Sequence, residues 1–317
     1  MKNTLLSLVV AICSTGAVAQ EYPLTIEHKF GTTVIEAKPQ RVASLDYNGA
    51  DNLLELGVQP VTIRYWYGDY EKTVWPWASD MLTTQPTILR GELDFEAIAE
   101  VKPDVIVAIW SGITAQDYEK LTLIAPTVAV PEGVGDYALP WNELALRAGL
   151  AVGEYEKAKE KVAAVEAQMK TVAGRNAHWA GKTSSVAYLW DGLPGAYTAE
   201  DLRPQVLSAL GFVNAPAIEE LSEPGKFATQ FSEEELGRVD AEVVIWFAGK
   251  GRESVESLAL YPTLKSSKEG RAVFSTDLLT GAFSHASLVS LPYAISLLEP
   301  AINAALDGDP ETNYDLK

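Results

Sequence analysis

Asp94-Phe95-Glu96-Ala97-Ile98-Ala99-Glu100-Val101-Lys102-Pro103-Asp104-Val105-Ile106-Val107-Ala108-Ile109 decides the fold. Asp94 to Val101 reads as a helix and Asp104 to Ile109 as a buried strand; Asp117 to Ile124 follows as a helix and Thr127 to Val130 as a strand. Upstream, Val42-Ala43-Ser44-Leu45 reads as a strand. A helix from Asn48 to Leu56 follows it, stopped by Gly57, and Val61-Thr62-Ile63 is the next strand. Strands alternating with helices predict parallel βα units.

Downstream the pattern changes. Glu154 to Val172 is one long helix without Gly or Pro. Glu154, Glu156, Lys157, Lys159, Glu160 and Lys161 form its charged face, and Ala158, Val162, Val165 and Met169 its apolar stripe. A second alternating half opens at Ser184 with Val186-Ala187-Tyr188-Leu189-Trp190. It continues with a helix from Pro204 to Leu210, strands at Glu242 to Phe247 and Arg271 to Ser275, and a final helix from about Ser287 to Leu306. The reading is α/β: an N-terminal lobe over 20–152, a linking helix over 153–174 and a C-terminal lobe over 175–317. A helical connector offers few positions that absorb backbone rotation, so modest lobe motion and a largely preformed cleft are expected.

Residues 1–19 read as an export signal: Lys2, an apolar run from Leu5 to Cys13, and Ala17-Val18-Ala19 before a new terminus at Gln20. The run is short of the ~20 residues that span a bilayer. Ile12 stands before Cys13, where a lipoprotein signal wants a small residue, so no lipid anchor is expected. Cys13 is the one cysteine, and its removal leaves no thiolate or disulfide. These features predict the periplasm of a Gram-negative cell. With 43 acidic against 25 basic residues the net charge is −18, which argues against nucleic acid, whose phosphates need basic patches.

The strand at Pro60-Val61-Thr62-Ile63 opens into Arg64-Tyr65-Trp66-Tyr67-Gly68-Asp69-Tyr70, closely followed by Trp75-Pro76-Trp77. Ligands in α/β sheets sit beyond the carboxyl ends of strands, which makes Arg64, Trp66 and Tyr67 a candidate ligand wall. Trp75 and Trp77 read equally well as core or lobe-packing residues. Catalytic and metal motifs are missing. Gly181-Lys182-Thr183 has Asn176 where a P-loop needs its first glycine, and no Gly-x-Ser-x-Gly elbow exists. His28, His178 and His285 are scattered, so no metal site is expected, and His178 and His285 read as surface or capping residues. An acidic chain always offers carboxylate pairs for glycoside hydrolysis, and none is singled out here.

Further segments carry a resemblance. They are Ile26-Glu27-His28-Lys29-Phe30-Gly31-Thr32-Thr33, Lys38-Pro39-Gln40-Arg41-Val42, Leu54-Glu55-Leu56-Gly57-Val58, Ser111-Gly112-Ile113-Thr114 and Ile124-Ala125-Pro126-Thr127 in the first half. Phe231-Ser232-x-Glu234-x-Leu236, Asp240-Ala241-Glu242-Val243-Val244 and Ser290-Leu291-Pro292-Tyr293-Ala294 follow in the second. With the opening stretch, their order and spacing resemble the periplasmic iron–siderophore binding proteins of ABC importers, the helix-linked class that also contains cobalamin and haem binders.

The resemblance implies two Rossmann-like lobes with parallel sheets and a ligand cleft between them. Trp75-Pro76-Trp77 and Asp136-Tyr137-Ala138-Leu139-Pro140-Trp141 look like the siderophore branch, and Arg90 falls where hydroxamate binders place a ligand-contacting arginine. Trp110, Tyr137 and Trp141 would face the cleft from the first lobe, and Tyr188, Trp190, Tyr197, Phe227 and Phe247 from the second. The cargo, a saturated Fe(III)-siderophore complex, would need no protein metal ligand and no cofactor. Rings would supply contact area and arginines a fork of donors. Glu96 and Glu234 match the glutamates that pair with permease arginines, although on charge alone they are ordinary helix N-terminal acids. The chain would thus be a non-catalytic, monomeric carrier between a ferric siderophore and a permease dimer. Its acidity leans toward a neutral or cationic hydroxamate complex. Rival readings are haem, with Tyr67 or His285 as axial ligand, cobalamin, or a secreted hydrolase.

Overall fold

The computed structural model describes residues 20–312 except Gly49 and Lys250, together with Leu316. The export signal and Cys13 lie outside the described residues. A hairpin of β1 (Leu24–His28) and β2 (Gly31–Ile35) opens the chain, burying Ile26, His28, Thr33 and Ile35 by strand alternation. The first sheet contains β3 (Val42–Ser44), β4 (Thr62–Arg64), β5 (Thr87–Leu89), β6 (Val105–Ala108) and β7 (Thr127–Ala129). All its pairings are parallel, in the order β5-β4-β3-β6-β7. β6 is buried along its whole length, as its unbroken apolar run Val105-Ile106-Val107-Ala108 requires.

The helices of this lobe are α1 (Asp51–Glu55), α2 (Phe95–Glu100), α3 (Ala115–Thr122) and α4 (Trp141–Ala151). Asp94 caps α2 by accepting from the Ala97 N–H, and a Thr114/Asp117 capping box starts α3 two residues before the expected Asp117. Then α5 (Tyr155–Arg175) runs for 21 residues between the lobes, burying Ala158, Val162, Val165, Met169 and Val172. The hydrophobic core is continuous through it, from Val107 and Ile109 to Val186 and Ile245.

The second sheet is built from β8 (Thr183–Trp190), β9 (Leu193–Tyr197), β10 (Val213–Asn214), β11 (Ala228–Gln230), β12 (Val243–Phe247) and β13 (Ala272–Phe274). Its order is β11-β9-β8-β12-β13, with β10 also on β8. β8, β10, β12 and β13 pair in parallel, but β9 is antiparallel to both β8 and β11. The second sheet is therefore mixed, which corrects the expectation of parallel sheets in both lobes. The cause is local: Asp191 at φ +50° and Gly192 at φ +79° form a two-residue turn that folds Trp190 back onto Leu193. Asp-Gly is the sequence such turns prefer, because both central residues need positive φ.

Around this sheet lie α6 (Leu202–Ala209), α7 (Pro216–Glu219), α8 (Arg252–Glu256), α9 (Lys265–Lys268), α10 (Asp277–His285) and α11 (Ser290–Ala305). The final helix expected from about Ser287 to Leu306 is α11, and α10 before it was not expected. Left-handed Ala286 ends α10, and Ser287 and Ser290 exchange side-chain-to-backbone hydrogen bonds of 2.9 and 3.0 Å across the break. Buried Asn48, Asp51 and Asn52 of the first lobe meet this same break.

Candidate functional site

The carboxyl end of β4 leads into Trp66 and Tyr67, and these rings form one wall of a cavity of about 940 Å³ between the lobes. Gly68, Asp69, Tyr70 and Trp75 extend that wall. Opposite stand Tyr188 and Trp190 of β8, Tyr197 of β9, Arg203 of α6, Phe227 and Phe247, while Ser275, Asp277, Thr280 and Ser284, around α10, lie beside Tyr67. Tyr188 and Trp190 share a face because strand side chains alternate, and the Tyr197 ring packs 5.0 Å from that of Tyr188 across the hairpin. The volume lies within the range of small-molecule sites.

The first wall is a continuous aromatic stack. Trp66 meets Tyr67 at 4.6 Å and Trp110 at 5.3 Å between ring centroids, and Tyr67 meets Trp75 at 5.3 Å. Trp75 lies nearly parallel to Trp77, 4.9 Å away. Trp75 therefore serves the wall and the core at once, while Trp77 packs behind it. Trp190 is 67 % exposed and Phe227 39 %, and both line the cavity.

Among the described residues the cation lining the cavity is Arg203, 7 % exposed. It pairs with Asp201 at 2.7 Å, lies 3.9 Å over the Tyr197 ring and donates to Ser284 Oγ at 3.4 Å. Burial opposes its charge, but Asp201 and the phenols of Tyr197 and Tyr67 hold its pKa above the ordinary arginine range. Burial also pushes Tyr67 and Tyr188 up to about 12. Both phenols stay protonated and donate, to Thr280 O at 3.4 Å and Thr229 O at 3.1 Å.

Of the residues expected at the site, Trp66, Tyr67, Tyr188, Trp190, Tyr197, Phe227 and Phe247 line the cavity. Five do not. Arg64 donates to Ser111 O at 2.9 Å and stacks on Tyr47 at 4.1 Å, held within the lobe. Arg90 follows the edge strand β5, is exposed, and stacks on Tyr65 at 4.1 Å outside the cavity. Trp110 is 6 % exposed behind Trp66. Trp141 opens α4 and is equally buried, a core residue. Tyr137 packs on Trp110 and reaches the Phe227 ring at 6.2 Å, closing one side of the cleft without lining the cavity.

His178 is exposed as expected, but His285 is not a surface residue. It ends α10 buried among Trp66, Tyr67, Trp75 and Trp77, its Nδ1–H given to Gly281 O at 2.9 Å, and burial lowers its pKa to about 4. Glu96 is exposed in the first turn of α2, and Glu234 in the 3₁₀ segment Glu233–Val239. Among the described residues no group of three or more His, Cys, Asp or Glu converges as a metal site. Sequence reasoning missed Arg203, Asp69 and Asp277. One signal for Arg203 existed: a cation in the first turn of a helix opposes the helix dipole and so wants another reason to be there.

Comparison with known proteins agrees with this architecture. The family described as periplasmic binding protein matches residues 42–272. A probable siderophore-binding lipoprotein of Bacillus subtilis, YfiY, is 30 % identical over 278 residues, 82 % of each chain. A periplasmic solute binding protein from Mycobacterium smegmatis superposes with a TM-score of 0.80 at 31 % identity, covering 89 % of this chain and 98 % of the other. Streptococcus pneumoniae PiaA, solved in complex with ferrichrome, gives 0.76 at 26 % identity, covering 90 % and 99 %. The chain belongs to the periplasmic binding protein family, the extracytoplasmic substrate-binding proteins of ABC transporters, which bind rather than transform their ligands.

Proposed function

We propose that this protein captures an Fe(III)-siderophore in the periplasm and hands it to an inner-membrane ABC importer. The observation that carries the reading is a ring-lined cavity of about 940 Å³ whose polar side chains, among the described residues, are phenols, hydroxyls, the Gln230 amide, two aspartates and one stacked arginine, not a set of metal ligands. Such a site grips the organic shell of a finished chelate: the rings take its apolar faces, and the guanidinium N–H groups not held by Asp201 and Ser284 reach the oxygens around the iron. The relatives named for siderophore binding and for ferrichrome support the same cargo class. Residues 20–152 and 175–317 act as the two lobes, tied by α5, and the carrier works as a monomer. Glu96 and Glu234 are the docking acids.

Haem is the weaker cargo, because its nominated axial ligands do not suit it. Tyr67 keeps its proton, and His285 lies behind the wall, outside the cavity lining. Asp69 and Asp277 both line the cavity, but each is exposed, and among the described residues no hydrogen bond positions either as a general acid. Titration of tryptophan fluorescence with ferric siderophores, haem and cobalamin tests the proposal. Saturable quenching by a ferric siderophore is expected, and it should weaken by about 1–3 kcal/mol in Trp66→Ala. Quenching by haem or cobalamin alone would overturn it.

A further inference from the structure

Asp69, Arg203 and Asp277 are the charged side chains lining the cavity among the described residues. They do not balance. Arg203 spends its charge on Asp201, 2.7 Å away and as buried as itself. Asp69, in the loop after β4, and Asp277, at the start of α10, are exposed, and among the described residues neither forms a hydrogen bond or an ion pair. The two arginines that might have reversed this sign are turned elsewhere, Arg64 onto Ser111 and Tyr47, Arg90 onto Tyr65. Among the described residues a guest therefore meets one neutralised cation and two free carboxylates.

The carboxylates also sit beside rings. Asp277 acts electrostatically on the phenols of Tyr67 and Tyr70, both part of the cavity wall. Aromatic faces next to a carboxylate favour an alkylammonium, through ring quadrupole and ion pair together. Chelate chemistry offers that partner selectively. Three hydroxamates cancel the ferric charge, so an ammonium-bearing arm makes the whole complex a cation; three catecholates leave a trianion.

We propose that Asp277 and Asp69 select the charge of the cargo, favouring a cationic ferric trihydroxamate with an ammonium arm over neutral and anionic chelates. This rests on the ferric-chelate reading above and adds the cargo's charge to it. The test is a matched pair, ferric ferrioxamine B with its free amine and the N-acetylated form of the same complex. Each is titrated into the mature protein at low ionic strength by tryptophan fluorescence. The amine form should bind about tenfold tighter, the effect of two partly solvated charges, and the ratio should shrink as salt is raised. Asp277→Asn and Asp69→Asn should each lower the ratio, and the double variant should bring it within about twofold of unity. The ratio is the readout, so a general loss of affinity does not imitate the effect. A wild-type ratio of one, a preference for the acetylated or a catecholate complex, or a ratio unmoved in the double variant overturns the charge selection while leaving the ferric-chelate reading intact. If haem or cobalamin binds and no ferric chelate does, the underlying reading itself has failed, and the selection with it.

Discussion

Asp51 of α1 accepts a hydrogen bond from Ser287 Oγ at 2.8 Å, joining the first lobe to the α10–α11 break of the second. The same carboxylate oxygen accepts the Trp77 indole N–H at 2.8 Å, and Asn52 Oδ1 beside it takes the Leu288 N–H at 3.0 Å. Trp77 stacks on Trp75, which lines the cavity. The lobes are thus tied at a buried polar node as well as by α5, and the node reaches the ligand wall through one pair of indoles. Two ties leave the lobes fewer places to hinge than a helix alone would.

The node should report itself in the pH dependence of stability. Burial pushes Asp51 up to about 6 and, elsewhere in the first lobe, Asp46 up to about 7. An unfolded aspartate titrates near ~3.9, so between that pH and the folded value the native state holds the extra proton. Stability contributed by Asp51 is therefore intact in acid and declines as pH rises toward about 6. Buried His285, lowered to about 4, runs the opposite way, losing stability as pH falls from the unfolded histidine value. The wild-type curve is the difference of these slopes. Asp51→Asn keeps an acceptor for Ser287 and Trp77 but removes the titration. Relative to wild type it should gain up to about 3 kcal/mol between ~pH 4 and ~pH 7. Urea unfolding across that range checks this, and parallel curves would count against it.

Gly281 in α10 is a packing requirement. A Cβ there would run into the Trp75 indole, itself 2 % exposed. Helix propensity alone predicts that Gly281→Ala stabilises by up to about 1 kcal/mol. Overpacking against a ring already stacked on Trp77 predicts a net loss of roughly 1–3 kcal/mol, with weaker ligand binding because Trp75 shapes the cavity. A thermal melt decides the sign.

How legible this was depended on whether the determinant was local. The βα alternation from Asp94 to Val130 was readable because each strand is a short apolar run bounded by caps, Asp94 and Thr114 among them. The Asp191-Gly192 turn was equally local and went unread, which cost the antiparallel half of the second sheet. Side-chain direction was not local. Arg64 ends β4 and Arg90 follows β5, yet Tyr47 and Tyr65 capture them; nothing at either position announces this. Trp141 and Trp66 are the same residue type, but Trp141 begins a helix and turns into the core, whereas Trp66 lies in the loop after β4. Arg203 lies in a segment with no aromatic neighbours in sequence, and only the fold brings Tyr197 and Phe247 to its faces.

The Arg203–Asp201 pair makes a further prediction. Both are under a tenth exposed, so removing one leaves a buried charge without its partner. Arg203→Met should cost about 3–5 kcal/mol of stability, and Arg203→Met with Asp201→Leu considerably less. Both variants should lose ligand affinity, because the donors are gone in each. Recovery of stability without recovery of binding in the double variant is the expected signature; recovery of both would remove Arg203 from ligand contact.

Docking can be separated from folding by the acids around each candidate. Asp94 caps α2, whereas Glu96, two residues on, makes no hydrogen bond or ion pair among the described residues. In the run Glu233-Glu234-Glu235, Glu233 accepts from the Ala259 N–H at 2.5 Å and Glu235 pairs with Arg238 at 2.8 Å, leaving Glu234 without an internal role. An exposed acid with no partner contributes within about 0–1 kcal/mol to stability, so Glu96→Lys and Glu234→Lys should melt near the wild-type temperature. Glu233→Lys should unfold earlier, since it removes a cap-like contact to the backbone. With ligand affinity unchanged, the double charge reversal should abolish importer-dependent iron uptake in cells. Uptake at the wild-type level would end the docking assignment, and a parallel loss of affinity would show that these acids act on the cleft instead.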